Sequence, residues 1–92
     1  MVVKYTKNFL DKLENLFAAS SYHLRYEKGN FKSGYCLLKE TKVVIINKYF
    51  PLEGKINALI DILAELDFDP KEFKEKANQD FLSELRQTTL KF

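Results

Sequence analysis

In the stretch Tyr22-His23-Leu24-Arg25-Tyr26-Glu27-Lys28-Gly29-Asn30, apolar side chains alternate with polar ones until a Gly-Asn pair interrupts them. Alternation of this kind is typical of a strand with one buried face, and Gly-Asn between two such runs is a hairpin turn signal. If Lys28 faces Phe31 across the turn, His23 lies opposite Cys36, and the aromatic and aliphatic side chains collect on one face. We therefore expect the first two strands to pair as a hairpin.

A third strand is predicted after a second turn near Glu40-Thr41. It contains the run Val43-Val44-Ile45-Ile46, which is apolar on both faces. If each strand pairs with the next, the sheet is an antiparallel meander whose edges are the first and third strands. An apolar strand at an edge is a template for pairing with another chain, so this arrangement favours self-association.

Three helices are predicted from apolar side chains that recur every three to four residues. The first covers residues 6–19 with Thr6 as its N-cap, and the second covers about 52–66 after Pro51. The third covers about 70–86, since Asp69-Pro70-Lys71-Glu72 has the spacing of a capping box. Its predicted buried side chains are Phe73, Ala77, Phe81, Leu82 and Leu85. We expect an α+β fold and a single domain over residues 1–92, in the order α-β-β-β-α-α, with a three-stranded antiparallel meander packed against helices.

Length and composition narrow the class of protein. The 92 residues suffice for one domain, and 46% hydrophobic with 30% charged residues is a globular balance that excludes wholesale disorder. No apolar run approaches the roughly 18 residues of a membrane span, and the beginning of the chain lacks a continuous signal-peptide core. Cys36 is the only cysteine, which excludes an internal disulfide. We therefore expect a cytoplasmic protein without a membrane segment.

Catalytic and metal-binding patterns are scarce. Phosphate-binding loops, dinucleotide fingerprints and nucleophile elbows are absent, and one histidine with one cysteine is at most half of a tetrahedral metal site. His23 opposite Cys36 is the one pair to weigh, because an imidazole beside a thiol favours the nucleophilic thiolate. In the other interpretation, which we favour, Cys36 is a small buried residue and His23 an edge residue. We expect no catalytic residue, no cofactor and no metal, with a Cys/His-dependent enzyme as the alternative.

Positive charge and aromatic rings occur together around the predicted hairpin. The candidate binding residues are Arg25, Tyr26, Lys28, Phe31, Lys32 and Lys48. Because bases stack on aromatic rings and phosphates pair with Lys or Arg, this mixture is typical of RNA or other nucleic-acid binding. It is equally typical of a solvated strand edge, where lysines prevent edge-to-edge aggregation.

In element order, residues 6–66 resemble the double-stranded-RNA-binding domain, which reads α-β-β-β-α. The resemblance is one of fold and not of function, and it slightly favours the nucleic-acid-binding hypothesis. In that family a cluster of lysines opens the last helix and grips phosphates. At the matching place this chain reads Pro51-Leu52-Glu53-Gly54-Lys55, with a single lysine and an acid. The departure removes the main phosphate clamp of the family.

Two segments are similar to a family of short bacterial proteins of unknown function. They are Arg25-Tyr26-Glu27-Lys28-Gly29-Asn30-Phe31-Lys32-Ser33-Gly34-Tyr35-Cys36 and Asn47-Lys48-Tyr49-Phe50-Pro51-Leu52-Glu53. The similarity extends over nearly the whole chain. It implies a free-standing bacterial protein and assigns no functional residue.

Aromatic residues are numerous, with eight Phe and five Tyr. Tyr49, Phe50, Phe68, Leu90 and Phe92 lie at predicted element ends, where complete burial is difficult in a small domain. They either plug the ends of the core or contact a partner. Because no catalytic motif is present, the leading hypothesis is a protein-interaction module, a homodimer, that uses a sheet edge or these aromatic residues. Nucleic-acid binding is the alternative.

Overall fold

The helices and strands follow the predicted order. The computed structural model describes residues 4–28, 35–66 and 68–88. Its elements are α1 (Lys7–Ala19), β1 (His23–Glu27), β2 (Tyr35–Leu38), β3 (Val43–Asn47), α2 (Leu52–Leu66), a short 3-10 turn (Pro70–Glu72) and α3 (Lys76–Thr88). The prediction of an α+β fold in the order α-β-β-β-α-α is therefore confirmed.

The sheet is mixed, with strand order β1-β3-β2. Strand β1 pairs with β3 in parallel, from His23 opposite Val43 to Glu27 opposite Asn47. Strand β2 pairs with β3 antiparallel, with Cys36 opposite Ile45. The predicted antiparallel meander is wrong, because β3 lies between the two strands that were expected to form a hairpin. The predicted turn at Gly29-Asn30 lies outside the described residues.

The apolar sequence of β3 explains its central position. Val44 and Ile46 are fully buried, and Val43 and Ile45 are half-buried. A central strand satisfies its backbone hydrogen bonds on both sides, whereas an edge strand leaves half of them to solvent. The edges of the sheet are β1 and β2, so the prediction that β3 is an exposed apolar edge is wrong as well.

Helices α1 and α2 pack on one face of the sheet, which we call the covered face. Its side chains are Leu24, Tyr26, Tyr35, Leu37, Val44 and Ile46, which all contact the core. Because successive side chains of a strand point to opposite faces, the other face carries His23, Arg25, Glu27, Cys36, Leu38, Val43 and Ile45. We call it the open face. Leu38 is 42% exposed there.

Helices α1 and α2 begin and end close to the predicted residues. Thr6 caps α1, since its hydroxyl oxygen accepts a hydrogen bond from the Phe9 N–H at 3.2 Å. The buried residues of α1 are Phe9, Leu10, Leu13, Leu16 and Phe17. Helix α2 follows Pro51, whose carbonyl accepts from the Lys55 N–H at 3.0 Å. Both predictions are confirmed.

Helix α3 begins six residues later than predicted, at Lys76 in place of residue 70. Asp69 does cap a helical turn, because its carboxylate accepts from the Lys71 N–H at 2.9 Å. The turn ends at Phe73, whose backbone is extended with φ −93° and ψ 132°. The extended residue places the Phe73 ring in the core, 5.8 Å from the Phe68 ring. Of the predicted buried residues in this region, Ala77 is exposed and the other four are buried.

Candidate protein-interaction edge

His23 and Cys36 do not form a pair. His23 lies opposite Val43 and Cys36 lies opposite Ile45, so β3 separates them. Neighbouring strands are about 4.8 Å apart, which puts the two residues about 10 Å or more from each other. The expected position of His23 opposite Cys36 is therefore wrong, and the alternative of a Cys/His-dependent enzyme loses the geometry on which it depended. Within residues 4–28, 35–66 and 68–88, no three His, Cys, Asp or Glu side chains cluster as a metal site.

Within the described part of the chain, strand β1 has a free edge with unpaired backbone groups. The His23 N–H donates to the Lys42 carbonyl at 2.8 Å, and the Glu27 carbonyl accepts from the Lys48 N–H at 3.1 Å. Since alternate residues of a strand face the same neighbour, His23, Arg25 and Glu27 bond to β3. Leu24 and Tyr26 therefore turn their N–H and C=O groups away from the sheet. This alternation gives β1 an outward row of donors and acceptors.

A groove of about 410 Å³ runs beside this edge, between β1 and α1. It is lined by Glu14, Ala18, Ser20, Tyr22, His23, Leu24 and Tyr26. The Ser20 hydroxyl fixes one end of the groove, because it donates to the Phe17 carbonyl at 2.6 Å and accepts from the Tyr22 N–H at 3.1 Å. The small side chain of Ala18 leaves space between helix and strand. An extended segment could lie in this space and bond to β1.

Tyr26 ties the groove to both helices. Its hydroxyl donates to a Glu14 carboxylate oxygen at 2.5 Å, and the Lys55 ammonium lies 5.2 Å from its ring centroid. Burial raises the pKa of Tyr26, and the hydrogen bond to Glu14 raises it further. The phenol therefore stays protonated as a donor, and Glu14 is held in the groove wall.

On the open face, β1 presents paired charges. The Arg25 guanidinium lies 3.0 Å from a Glu27 carboxylate oxygen, and both side chains are exposed to solvent. They are two residues apart and so share one face of the strand. Beside them lie the half-buried Val43 and Ile45. The edge thus combines backbone hydrogen-bonding groups, an apolar border and a fixed pair of opposite charges.

The structure brings together only some of the predicted binding residues. Lys28 and Lys48 follow parallel neighbouring strands and lie at the same end of the sheet. Tyr49 is beside them, 68% exposed, with the Lys48 ammonium 5.2 Å from its ring. Arg25 is on the open face and Tyr26 on the covered face, so these two do not share a surface. Phe31 and Lys32 lie outside the described residues.

The aromatic residues expected at element ends differ in their surroundings. Phe68 is buried among Phe17, Tyr22 and Phe73, and therefore plugs the core. Tyr49 is largely exposed, and Phe50 is half-buried. Leu90 and Phe92 lie outside the described residues.

A larger groove, of about 710 Å³, separates α1 from α3. Ala18, Ala19 and Ala77 line it together with the acidic side chains Glu75, Asp80 and Glu84. The backbone along this groove belongs to helices, whose interior N–H and C=O groups are paired within the helix, so it offers no continuous row of donors and acceptors to an extended segment. The β1 edge differs because its backbone groups need a partner other than the sheet.

Comparisons with known proteins do not assign a function to these features. No protein-family model matches the chain, and neither a curated protein nor a solved structure matches it. No helix among the described residues is long and apolar enough to cross a membrane.

Proposed function

We propose that this protein is a non-enzymatic interaction module that binds an extended segment of a protein partner along β1, as a fourth strand of the sheet. The observation that carries the proposal is the outward row of N–H and C=O groups at Leu24 and Tyr26, which lies beside the α1–β1 groove. Strand addition of this kind obtains affinity from main-chain hydrogen bonds and specificity from alternate side chains.

The two sides of β1 specify the kind of segment. Side chains opposite Leu24 and Tyr26 enter the groove, where Ala18 and Tyr22 form an apolar wall. The intervening side chains lie beside Arg25 and Glu27 in solvent. The expected ligand is therefore a strand of about four to six residues, as natural strands have, whose groove-facing side chains are apolar beside Ala18 and Tyr22 and apolar or cationic beside Glu14. About four backbone hydrogen bonds at about 1 kcal/mol each would give a weak, reversible complex.

Backbone N-methylation provides a direct test. The chain can be assembled by ligation at Cys36, its only cysteine, so that N-methyl-leucine replaces Leu24. This change removes an outward donor while every side chain and every bond to β3 remains. Eight-residue peptides with alternating apolar residues are selected from a display library on the unmodified protein, and their affinities are then measured by fluorescence anisotropy.

We expect the N-methyl-Leu24 protein to lose at least tenfold in affinity, which corresponds to about 1.4 kcal/mol. The matched control carries N-methyl-lysine at Lys4, which precedes α1 and takes no part in the sheet; its affinity should be unchanged. Amide exchange should show new protection at Leu24 and Tyr26 in the complex. Equal binding by the N-methyl-Leu24 protein would refute strand addition at this edge.

A second candidate function, nucleic-acid binding, is favoured by the cluster of Lys28, Lys48 and exposed Tyr49. Phosphate contacts release counterions, so binding to single-stranded RNA should weaken steeply with salt. The Lys28→Ala/Lys48→Ala variant should reduce the salt slope by about two. The control, Lys71→Ala/Lys74→Ala, removes the same charge from another exposed segment. No binding at tens of micromolar protein, or the same slope in both variants, would exclude this candidate.

A further inference from the structure

We infer that the strand added to β1 is β1 of a second copy of this chain, paired antiparallel in the register that places Tyr26 opposite Tyr26. This inference rests on the proposed function, because it uses the same edge. It specifies the partner, the register and the residues that select both.

The direction of the backbone groups limits the registers available. In an antiparallel pair with two-fold symmetry, the axis passes beside one residue of β1, and the outward residues Leu24 and Tyr26 occupy the hydrogen-bonded positions. An axis at Leu24, at Arg25 or at Tyr26 satisfies this condition. The registers differ in the charges that they place opposite one another.

Charge complementarity favours the axis at Tyr26. An axis at Arg25 would oppose two guanidinium groups at the short separation of a non-hydrogen-bonded pair, which is unfavourable. An axis at Leu24 would place His23 opposite Arg25. An axis at Tyr26 places Arg25 of each copy opposite Glu27 of the other, and both pairs occupy non-hydrogen-bonded positions, where side chains are closest.

The contact between Arg25 and Glu27 within each chain already holds the two side chains on the face where they would meet the second copy. Within one chain the two groups already lie 3.0 Å apart on the open face. Pairing adds two intermolecular contacts and closes a ring of four alternating charges. Exposed ion pairs supply little affinity individually, but opposed charges select register and exclude like-charged pairings.

The groove supplies a second complementary charge. In the Tyr26 register, Lys28 of the second copy lies opposite Leu24, on the covered-face side. The groove on that side contains the Glu14 carboxylate, which Tyr26 holds in place. Lys28 of each copy therefore lies near Glu14 in the groove of the other copy, so the dimer contains this contact twice. The resulting six-stranded sheet has a size that is common for natural sheets.

Charge exchange tests the register without altering the fold. The variants are Arg25→Glu, Glu27→Arg and the double exchange, and their self-association is measured by sedimentation equilibrium at low ionic strength. Each single variant should dimerise about tenfold or more weakly than the wild type, because like charges face each other. The double exchange should dimerise as the wild type does. An equimolar mixture of the two single variants should form a heterodimer, since one chain then carries an acid at both positions and the other a guanidinium at both.

The control exchanges Lys39 and Glu65, an exposed pair 3.4 Å apart that involves no residue of β1. Its dimerisation should equal that of the wild type. Single variants that dimerise normally, or a mixture that does not form the heterodimer, would overturn the register. A wild-type chain that remains monomeric up to about 0.5 mM would overturn self-pairing altogether, while selected peptides could still bind at Leu24. If N-methyl-Leu24 affects neither dimerisation nor peptide binding, both the inference and the proposed function fail.

Discussion

Burial, a hydrogen bond and neighbouring charges all act on the side chain of Tyr26. Its hydroxyl donates to Glu14 of α1, and Lys55 of α2 lies over its ring. Burial raises its pKa above the ordinary value of about 10, and Glu14 adds to the rise. Between the pKa of the unfolded chain and that of the folded chain, folded Tyr26 keeps a proton that the unfolded chain loses.

The free energy of unfolding should therefore fall in alkaline solution. The contribution of Tyr26 is fully present below about pH 10 and is lost as the pH rises toward its folded-state pKa. We expect the urea midpoint to fall between about pH 9.5 and 11.5, and to fall less in Tyr26→Phe, which cannot titrate. Tyr35, whose pKa is raised mainly by burial, accounts for part of the remaining slope. Identical slopes in the wild type and Tyr26→Phe would contradict this assignment.

Thr6 offers a test of a single local interaction. Its side chain accepts the Phe9 N–H, one of the amide groups at the start of α1 that lack a partner within the helix. Thr6→Ala should lower the free energy of unfolding by about 1 kcal/mol, measured by urea denaturation. Thr6→Ser keeps the accepting oxygen and should remain close to the wild type. A loss of equal size in both variants would show that the hydrogen bond is not the cause.

At the scale of elements, a side-chain hydrogen bond connects α3 to the extended residue Phe73, which separates the helix from the preceding 3-10 turn. The Gln79 side-chain amide donates to the Phe73 carbonyl at 2.6 Å. Gln79→Leu should leave this carbonyl without its donor and cost about 1–2 kcal/mol. Proteolysis should also become faster around residues 73–76. The control, Asp80→Ala, changes the next, exposed residue and should affect neither measurement.

Local sequence signals predicted those elements whose ends are fixed by local chemistry. Thr6 and Pro51 mark the starts of α1 and α2 because a cap and a proline act within one turn. Asp69 also acts as an N-cap, but the turn that it caps is only a 3-10 turn. Phe73 then adopted an extended backbone because its ring packs against Phe68, a contact between side chains that no cap specifies.

Strand pairing could not be predicted in the same way. Alternation identified the residues of β1 and the apolar run identified β3, but neither pattern states which strand is the neighbour of which. The turn signal at Gly29-Asn30 favoured the local hairpin. Burial of Val44 and Ile46 in the middle of the sheet favoured the non-local order. The candidate site depends on knowing which strand is an edge, so the sequence pattern indicated Arg25 and Tyr26 as binding residues but neither Leu24 nor the groove residues Glu14 and Ala18.

The strand order of the whole molecule can be tested with disulfides. Oxidation of Ile45→Cys should link it to the native Cys36, because directly opposed residues have Cα atoms about 5 Å apart. His23→Cys should not link to Cys36, since β3 keeps them about 10 Å apart. Non-reducing mass spectrometry of the dilute proteins distinguishes the two. A disulfide in His23→Cys but not in Ile45→Cys would restore the hairpin.

The central position of β3 also governs when the sheet can assemble as the ribosome makes the chain. Strands β1 and β2 are synthesised first, yet neither is a hydrogen-bonded neighbour of the other. Both leave the exit tunnel before Val43–Asn47 does. Until that segment emerges, their backbone N–H and C=O groups form hydrogen bonds with water instead of with β3. In a meander, by contrast, each strand could pair with the preceding strand as soon as it emerged. No pair of strands in this sheet can form before β3 is available, so a pause in translation before residue 43 leaves the nascent chain with two strands and no sheet.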